Sequence, residues 1–162
     1  MEQLDAVVIT ASNRAAAGVY EDRSGPVVAA ALEELGFLVS RVVVGDGAPV
    51  GAALSQAVAQ GVAVVVTTGG TGLSPQDLTP EVTEPLLDRH LPHLAAQIAM
   101  EGVRNGVASS VLSRGVAGVA GSTLVVNLPG SPGGARDGMR VLGPLLRHAV
   151  EQVRGVDHPR GA

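Results

Sequence analysis

The chain repeats one pattern that leaves few folds open: a short aliphatic run, a turn rich in glycine or aspartate, then apolar positions at helical spacing. Residues 4–10 (LDAVVIT), 38–44 (LVSRVVV) and 62–67 (VAVVVT) are the runs. Near-continuous apolar, β-branched stretches of this length belong to strands buried on both faces, as in parallel sheets. Segments 26–35, 49–60 and 92–105 read as helices, each followed by a glycine (Gly36, Gly61, Gly106) suited to a left-handed stop. Ser24 is expected to cap the first of them, and residues 11–25 before it read as loop. Thr79 is expected to cap a further helix, with Pro80 at its first position and Glu81 and Glu84 where the dipole favours negative charge. Residues 116–119 and 124–128 flank a hairpin turn at 120–123. A terminal helix carries Leu142, Leu145, Leu146, Ala149, Val150 and Val153, with a kink expected at Gly143-Pro144. Strands and helices in this alternation predict an α/β three-layer sandwich: a mostly parallel sheet, helices on both faces, and one antiparallel hairpin. A single domain over residues 1–155 and a flexible tail over 156–162 are expected.

Composition narrows the function classes. A chain of 162 residues, 46% hydrophobic, can bury a core without disulfide or metal staples. Its 11 basic and 15 acidic residues, net −4, lack the basic footprint of a general nucleic-acid binder. The absence of cysteine excludes disulfides, cysteine nucleophiles and thiolate zinc sites. One Phe, one Tyr and no Trp offer no stacking platform for single-stranded bases, so alanine and valine must fill the core. Met1, Glu2 and Asp5 do not open a signal peptide. The least polar stretch, 47–68, is cut by Pro49, Ser55, Gln56, Gln60 and Gly61. The expectation is a soluble cytoplasmic protein with neither nucleic acid nor membrane as partner.

Ligands of parallel sheets bind beyond the carboxyl ends of the strands. Asp46 closes the second strand, Thr68-Gly69-Gly70-Thr71-Gly72 the third and residues 128–134 the last, so three loops converge on one edge. The glycines permit positive φ and close approach of the main chain, and successive amides there form an anion-binding concavity. No Gly-Lys-Ser/Thr follows, and GxGxxG is absent; a plain tight turn is the simpler alternative. Asp77 follows Gly72 by five residues. A carboxylate beside a phosphate-shaped pocket calls for a cation between them, and Mg²⁺ takes one or two carboxylates plus phosphate oxygens. Taken singly, Asp77 is an alternative helix cap and Asp46 an ordinary turn residue; on converging loops the pair favours a metal site. Ser12 and Asn13 follow the first strand, and Asp22-Arg23-Ser24-Gly25 precedes a helix N-terminus able to receive an anion. Pro129-Gly130-Ser131-Pro132 offers the same at the last helix, with plain capping by Ser24 and Ser131 the alternative. Arg114 is a candidate anion contact, against a solvated or interfacial role. His90 and His93, separated by Leu91 and Pro92, are read as surface residues.

The run Thr68-Gly69-Gly70-Thr71-Gly72-Leu73-Ser74-Pro75-Gln76-Asp77-Leu78-Thr79-Pro80-Glu81 resembles the signature of the MogA/MoaB family of molybdenum cofactor biosynthesis, also found as the G domain of gephyrin. Asn127-Leu128-Pro129-Gly130-Ser131-Pro132 resembles the family's second signature. Ile9 to Arg14, Gly18 to Pro26 and Leu112-Ser113-Arg114 match in order and spacing. The likeness runs from the first strand into the last helix. It implies a three-layer α/β fold, a homotrimer, and Mg²⁺-dependent adenylylation of molybdopterin by ATP, with hand-over to a downstream molybdenum-insertion protein. The terminal phosphate of the pterin would attack the α-phosphorus of ATP and displace pyrophosphate. The resemblance implies that Asp77 and Asp46 are the catalytic, metal-binding acids. Asn13 departs from the aspartate many relatives carry after the serine. Two other readings stand beside this one: a non-catalytic molybdopterin carrier of the same pathway, and a nucleotide hydrolase of the competence-damage type.

Overall fold

The computed structural model describes residues 2–156. Six strands form one sheet: β1 (Asp5–Ala11), β2 (Leu38–Val44), β3 (Val64–Thr68), β4 (Arg89–His90), β5 (Ala117–Ala120) and β6 (Thr123–Leu128), in the order β2-β1-β3-β6-β5-β4. The four strands from β2 to β6 in that order run parallel, and β5 and β4 are added antiparallel at the far edge. The register places Thr68 between Thr10 and Leu128, so the exits of β1, β3 and β6 lie side by side. Ala11 at the end of β1 is likewise level with Val44 of β2.

The helices are α1 (Asn13–Ala16), α2 (Ser24–Glu34), α3 (Ala48–Ala59), α4 (Thr79–Thr83), α5 (Pro92–Arg104) and α6 (Pro132–Val153), with short 3₁₀ turns at Glu84–Leu86 and Ala108–Leu112. Side chains alternate across a strand, and the central strands feed two cores. Val64 and Val66 of β3, with Leu124, Val126 and Leu128 of β6, join Val28, Leu32, Leu142 and Leu146 on one face. Val65 and Val125 join Ile9, Val50 and Leu54 on the other. All these side chains are buried. Each full burial stabilises by about 1.5–3 kcal/mol, which explains how a chain nearly without aromatics holds a rigid sheet under its loops.

The architecture agrees with the α/β three-layer expectation, including the hairpin, whose turn is Gly121-Ser122. Local departures have physical causes. The segment expected to be loop after β1 contains α1, capped by Ser12 Oγ accepting from Ala15 N at 3.1 Å. Ser24 does not cap α2. It lies inside the first turn, and Asp22 Oδ1 receives the Gly25 amide at 3.0 Å instead. Thr79 does not cap α4 either, because its hydroxyl is drawn into the glycine turn. β4 is two residues long, too short for any periodicity to announce. α6 continues through Pro144, and the expected kink does not end it. Of the tail expected at 156–162, only Val156 is among the described residues; the rest lies outside them.

Candidate active site

β3 ends at Thr68, and the chain turns through Gly69 at φ 90° and Gly70 at φ 69°. These are the positions where glycine is required. A Cβ on Gly69 would run into the Ala11 carbonyl, and one on Gly70 into the Thr79 hydroxyl, 3.2 Å from Asp46 Oδ1. The Gly69 amide donates to the Leu128 carbonyl at 3.1 Å, so the anion-binding capacity expected of the turn rests on the amides from Gly70 onward. A buried polar chain supports the turn from behind. Thr79 donates its hydroxyl to the Gly69 carbonyl (3.0 Å) and its amide to the Gly70 carbonyl (3.1 Å). Thr83 donates to the Thr79 carbonyl (2.7 Å), and Asn127 Nδ2 donates to both Thr83 and Thr67 hydroxyls (3.2 and 2.9 Å). Satisfied networks of this kind fix one geometry. Among the described residues no buried side-chain polar atom lacks a partner.

The two acids flank this turn. Asp46 leaves β2 with its amide bonded to Asn13 Oδ1 at 2.9 Å and its carboxylate beside Gly70. Asp77 folds back across the loop: its Oδ2 receives the Ser74 amide at 3.0 Å and lies 2.7 Å from where a Gly72 Cβ would be. Partial burial and the nearby Asp77 charge push the Asp46 carboxyl above the usual carboxylate range, against the Asn13 backbone, which acts in the other direction. Carboxylate oxygens are the hard donors that a divalent cation accepts beside phosphate oxygens, so the chemistry of Asp46 and Asp77 fits such an ion. Among the described residues no cluster of three or more acidic or histidine side chains competes for such an ion. His90 and His93 are exposed, as expected.

Two clefts open around the strand ends. The first, about 340 Å³, is lined by Thr10, Ser12, Asp22, Ser24, Thr68 and Ser131 among others. The second, about 400 Å³, lies between Thr71-Gly72, the 3₁₀ turn at Ala108–Leu112, and Pro129 to Gly134. Ser131 borders both, and its hydroxyl caps α6 by accepting the Gly134 amide at 3.0 Å. The acids line neither cleft; they stand at the turn between them, Asp46 at Gly70 and Asp77 at Gly72.

Several candidate residues are committed to the protein itself. Asp22 is half-buried, and its Oδ2 takes the Thr10 hydroxyl (2.9 Å) and Arg41 (3.2 Å), so it shapes the first cleft with both oxygens engaged. Gly25 is small to admit that carboxylate. Ser24 and Thr68 share a buried hydroxyl–hydroxyl bond of 2.7 Å in the cleft floor. Arg114, expected as an anion contact, grips the signature loop: Nε donates to the Gly72 carbonyl (2.9 Å), one terminal nitrogen to the Asp77 carbonyl (2.6 Å), and the other pairs with Glu81. Sequence reasoning passed over Tyr20, which lines the first cleft under the Arg23 guanidinium, 5.8 Å from the ring centroid. It also passed over Asp137 and the serines at 109, 110 and 113 around the second. The serine-rich stretch was the available signal for those.

A family model described as "Probable molybdopterin binding domain" matches residues 7–148. The chain is 34% identical over 153 residues to the molybdenum cofactor biosynthesis bifunctional protein of Chlorobaculum tepidum, covering 93% of this chain and 49% of that one. It thus spans about half the length of the bifunctional relatives it matches. It is 31% identical over 162 residues to the molybdopterin adenylyltransferase of Helicobacter pylori strain 26695, covering 96% and 90% of the two chains. The structure of the molybdopterin biosynthesis Mog protein from Mycobacterium ulcerans superimposes with a TM-score of 0.89 at 53% identity, covering 93% and 99%. With a family match over residues 7–148, and the Helicobacter pylori and Mycobacterium ulcerans proteins covered to 90% and 99%, this chain belongs to the molybdopterin-binding family of molybdenum cofactor biosynthesis proteins.

Proposed function

We propose that the protein is a molybdopterin adenylyltransferase, forming adenylyl-molybdopterin and pyrophosphate from molybdopterin and ATP. The observation that supports this reading is a pair of carboxylates flanking the glycine turn, Asp46 at Gly70 and Asp77 at Gly72, with a cleft bordered at either end of that turn. A carrier needs one cleft and has no use for two mutually repelling acids at its edge. Adenylyl transfer needs two substrates held with their phosphates meeting over a cation.

The chain's own residues supply positioning. The amides from Gly70 onward and the α6 N-terminus at Ser131 face phosphate oxygens, while Ser12, Thr68 and Gly130 set the walls of the first cleft. The pterin phosphate oxygen bonds to the α-phosphorus of ATP as the bond from that phosphorus to the α,β-bridging oxygen breaks; that oxygen leaves as a terminal oxygen of pyrophosphate and carries away the negative charge. Asp46 and Asp77 would hold Mg²⁺, which supplies neutralisation of the phosphate charge when bound. Arg114 keeps the acidic loop in place. The remaining features of the reading are a homotrimer, for which exposed Val107, Val111 and Leu112 supply apolar surface, a cytoplasmic setting, and hand-over of product to a metal-insertion protein. Among the described residues no helix is long and apolar enough to cross a membrane.

Pyrophosphate release from ATP, dependent on molybdopterin and Mg²⁺, tests the reading. Molybdopterin binding without pyrophosphate release would make the protein a carrier.

A further inference from the structure

Building on the adenylyltransferase reading, the structure assigns to Arg114 a positioning role: its guanidinium spans the Gly72 and Asp77 carbonyls and so fixes where the Asp77 carboxylate sits. Residues 73–76 between those carbonyls are exposed, and Leu73 is turned to solvent. The bonds inside this loop are local: Ser74 N to Asp77 Oδ2, Asp77 N to the Ser74 carbonyl (2.9 Å), and Gln76 N to Ser74 Oγ (3.3 Å). They shape the turn but do not fasten it to the sheet.

Arg114 does. Its Nε reaches the Gly72 carbonyl and a terminal nitrogen the Asp77 carbonyl, while its own amide donates to the Thr71 carbonyl at 2.9 Å. One planar fork therefore ties both ends of the loop at a fixed separation, which a lysine ammonium lacks the shape to do. The arginine is itself held to β6. Two residues on, Val116 exchanges bonds with Asn127: its amide to Oδ1 (3.1 Å), its carbonyl from the Asn127 amide (2.9 Å). Glu81 pairs with the guanidinium from outside and is held below the usual carboxylate range by it. Arg114 thus acts on the metal site through Asp77, as groups that orient a metal ligand do.

The test is calorimetric titration of ATP at varied Mg²⁺, with pyrophosphate-release kinetics, on wild type, Arg114→Ala, Arg114→Lys and Glu81→Gln. Arg114→Ala should need roughly tenfold more Mg²⁺ for half-maximal ATP binding and lose roughly 10–100-fold in kcat. Its KM for molybdopterin should stay near wild type, and free methylguanidine should restore part of the lost rate. Arg114→Lys should resemble the alanine variant, and Glu81→Gln should resemble wild type. Unchanged Mg²⁺ dependence in Arg114→Lys or Arg114→Ala overturns the inference. So does a rise in KM with kcat intact, which would make Arg114 a substrate contact, or a Glu81→Gln loss as large as the alanine one. If Arg114→Ala fails to fold, the lysine variant decides. A wild type that binds ATP with Mg²⁺ but releases no pyrophosphate removes the catalytic reading alone, and the Mg²⁺ shift still judges Arg114. A wild type without Mg²⁺-dependent ATP binding overturns both.

Discussion

Asp46 and Asp77 work against each other until something positive separates them. Asp46 binds its proton more readily in the folded protein than in the unfolded chain, because burial and Asp77 both disfavour its charge. Stability of the Mg²⁺-free protein therefore falls as pH rises through the Asp46 titration and returns on acidification. Asp46→Asn removes that dependence: its Mg²⁺-free melting temperature at neutral pH should exceed wild type while adenylyl transfer is lost, and a lower melting temperature would show that the acids do not repel. Asp77→Asn keeps the Ser74 acceptor oxygen but not the charge, so the loop should keep its shape. Circular dichroism should match wild type while kcat drops about 10²–10³-fold, the scale of removing one electrostatic stabiliser. Asn13 also becomes intelligible at this scale. Where a family aspartate was expected, the amide side chain holds the Asp46 backbone without adding a third negative charge.

Elements carry the site because their ends, more than their middles, are specified. The buried runs were legible: β2 occupies the residues its β-branched pattern indicated, and β1 and β3 are displaced by one or two. The convergence of Asp46, the glycine turn and Leu128 to Gly134 followed from parallel topology, and the positive φ of Gly69 and Gly70 from glycine's lack of a Cβ. The caps were not legible at Ser24 and Thr79. Local sequence offers each hydroxyl a nearby amide, and tertiary structure offers Thr68 and the Gly69 carbonyl instead. The two clefts escaped too, since their walls join residues as distant as Thr71 and Asp137. Ser131, for which capping was the alternative to anion binding, does cap α6; Ser131→Ala should cost about 1 kcal/mol. Asn127→Ala should cost more, about 1–3 kcal/mol, because Thr67, Thr83 and the Val116 amide lose a partner together. Urea midpoints for the two variants check the order, and equal midpoints would deny the network its role.

For the whole molecule, Mg²⁺ held at Asp46 as proposed would compete with the proton for that carboxylate, so the acid limb of the pH–rate profile should move to lower pH as Mg²⁺ is raised. A limb indifferent to Mg²⁺ would place the titrating group elsewhere. Assembly is read from native mass: three times the 16.2 kDa chain mass is expected, and substitution of Val111 and Leu112 by aspartate should yield monomers. The fold holds all of this by having two cores, one per sheet face, behind a single rigid row of strand ends. The central claim is that this row delivers two acids to one divalent ion. Crystals grown with ATP and Mn²⁺ in place of Mg²⁺, measured for anomalous scattering, test it most directly. One anomalous peak is expected within coordination distance of both Asp46 and Asp77 and of phosphate oxygens; bound nucleotide with no metal at either aspartate would remove the metal site.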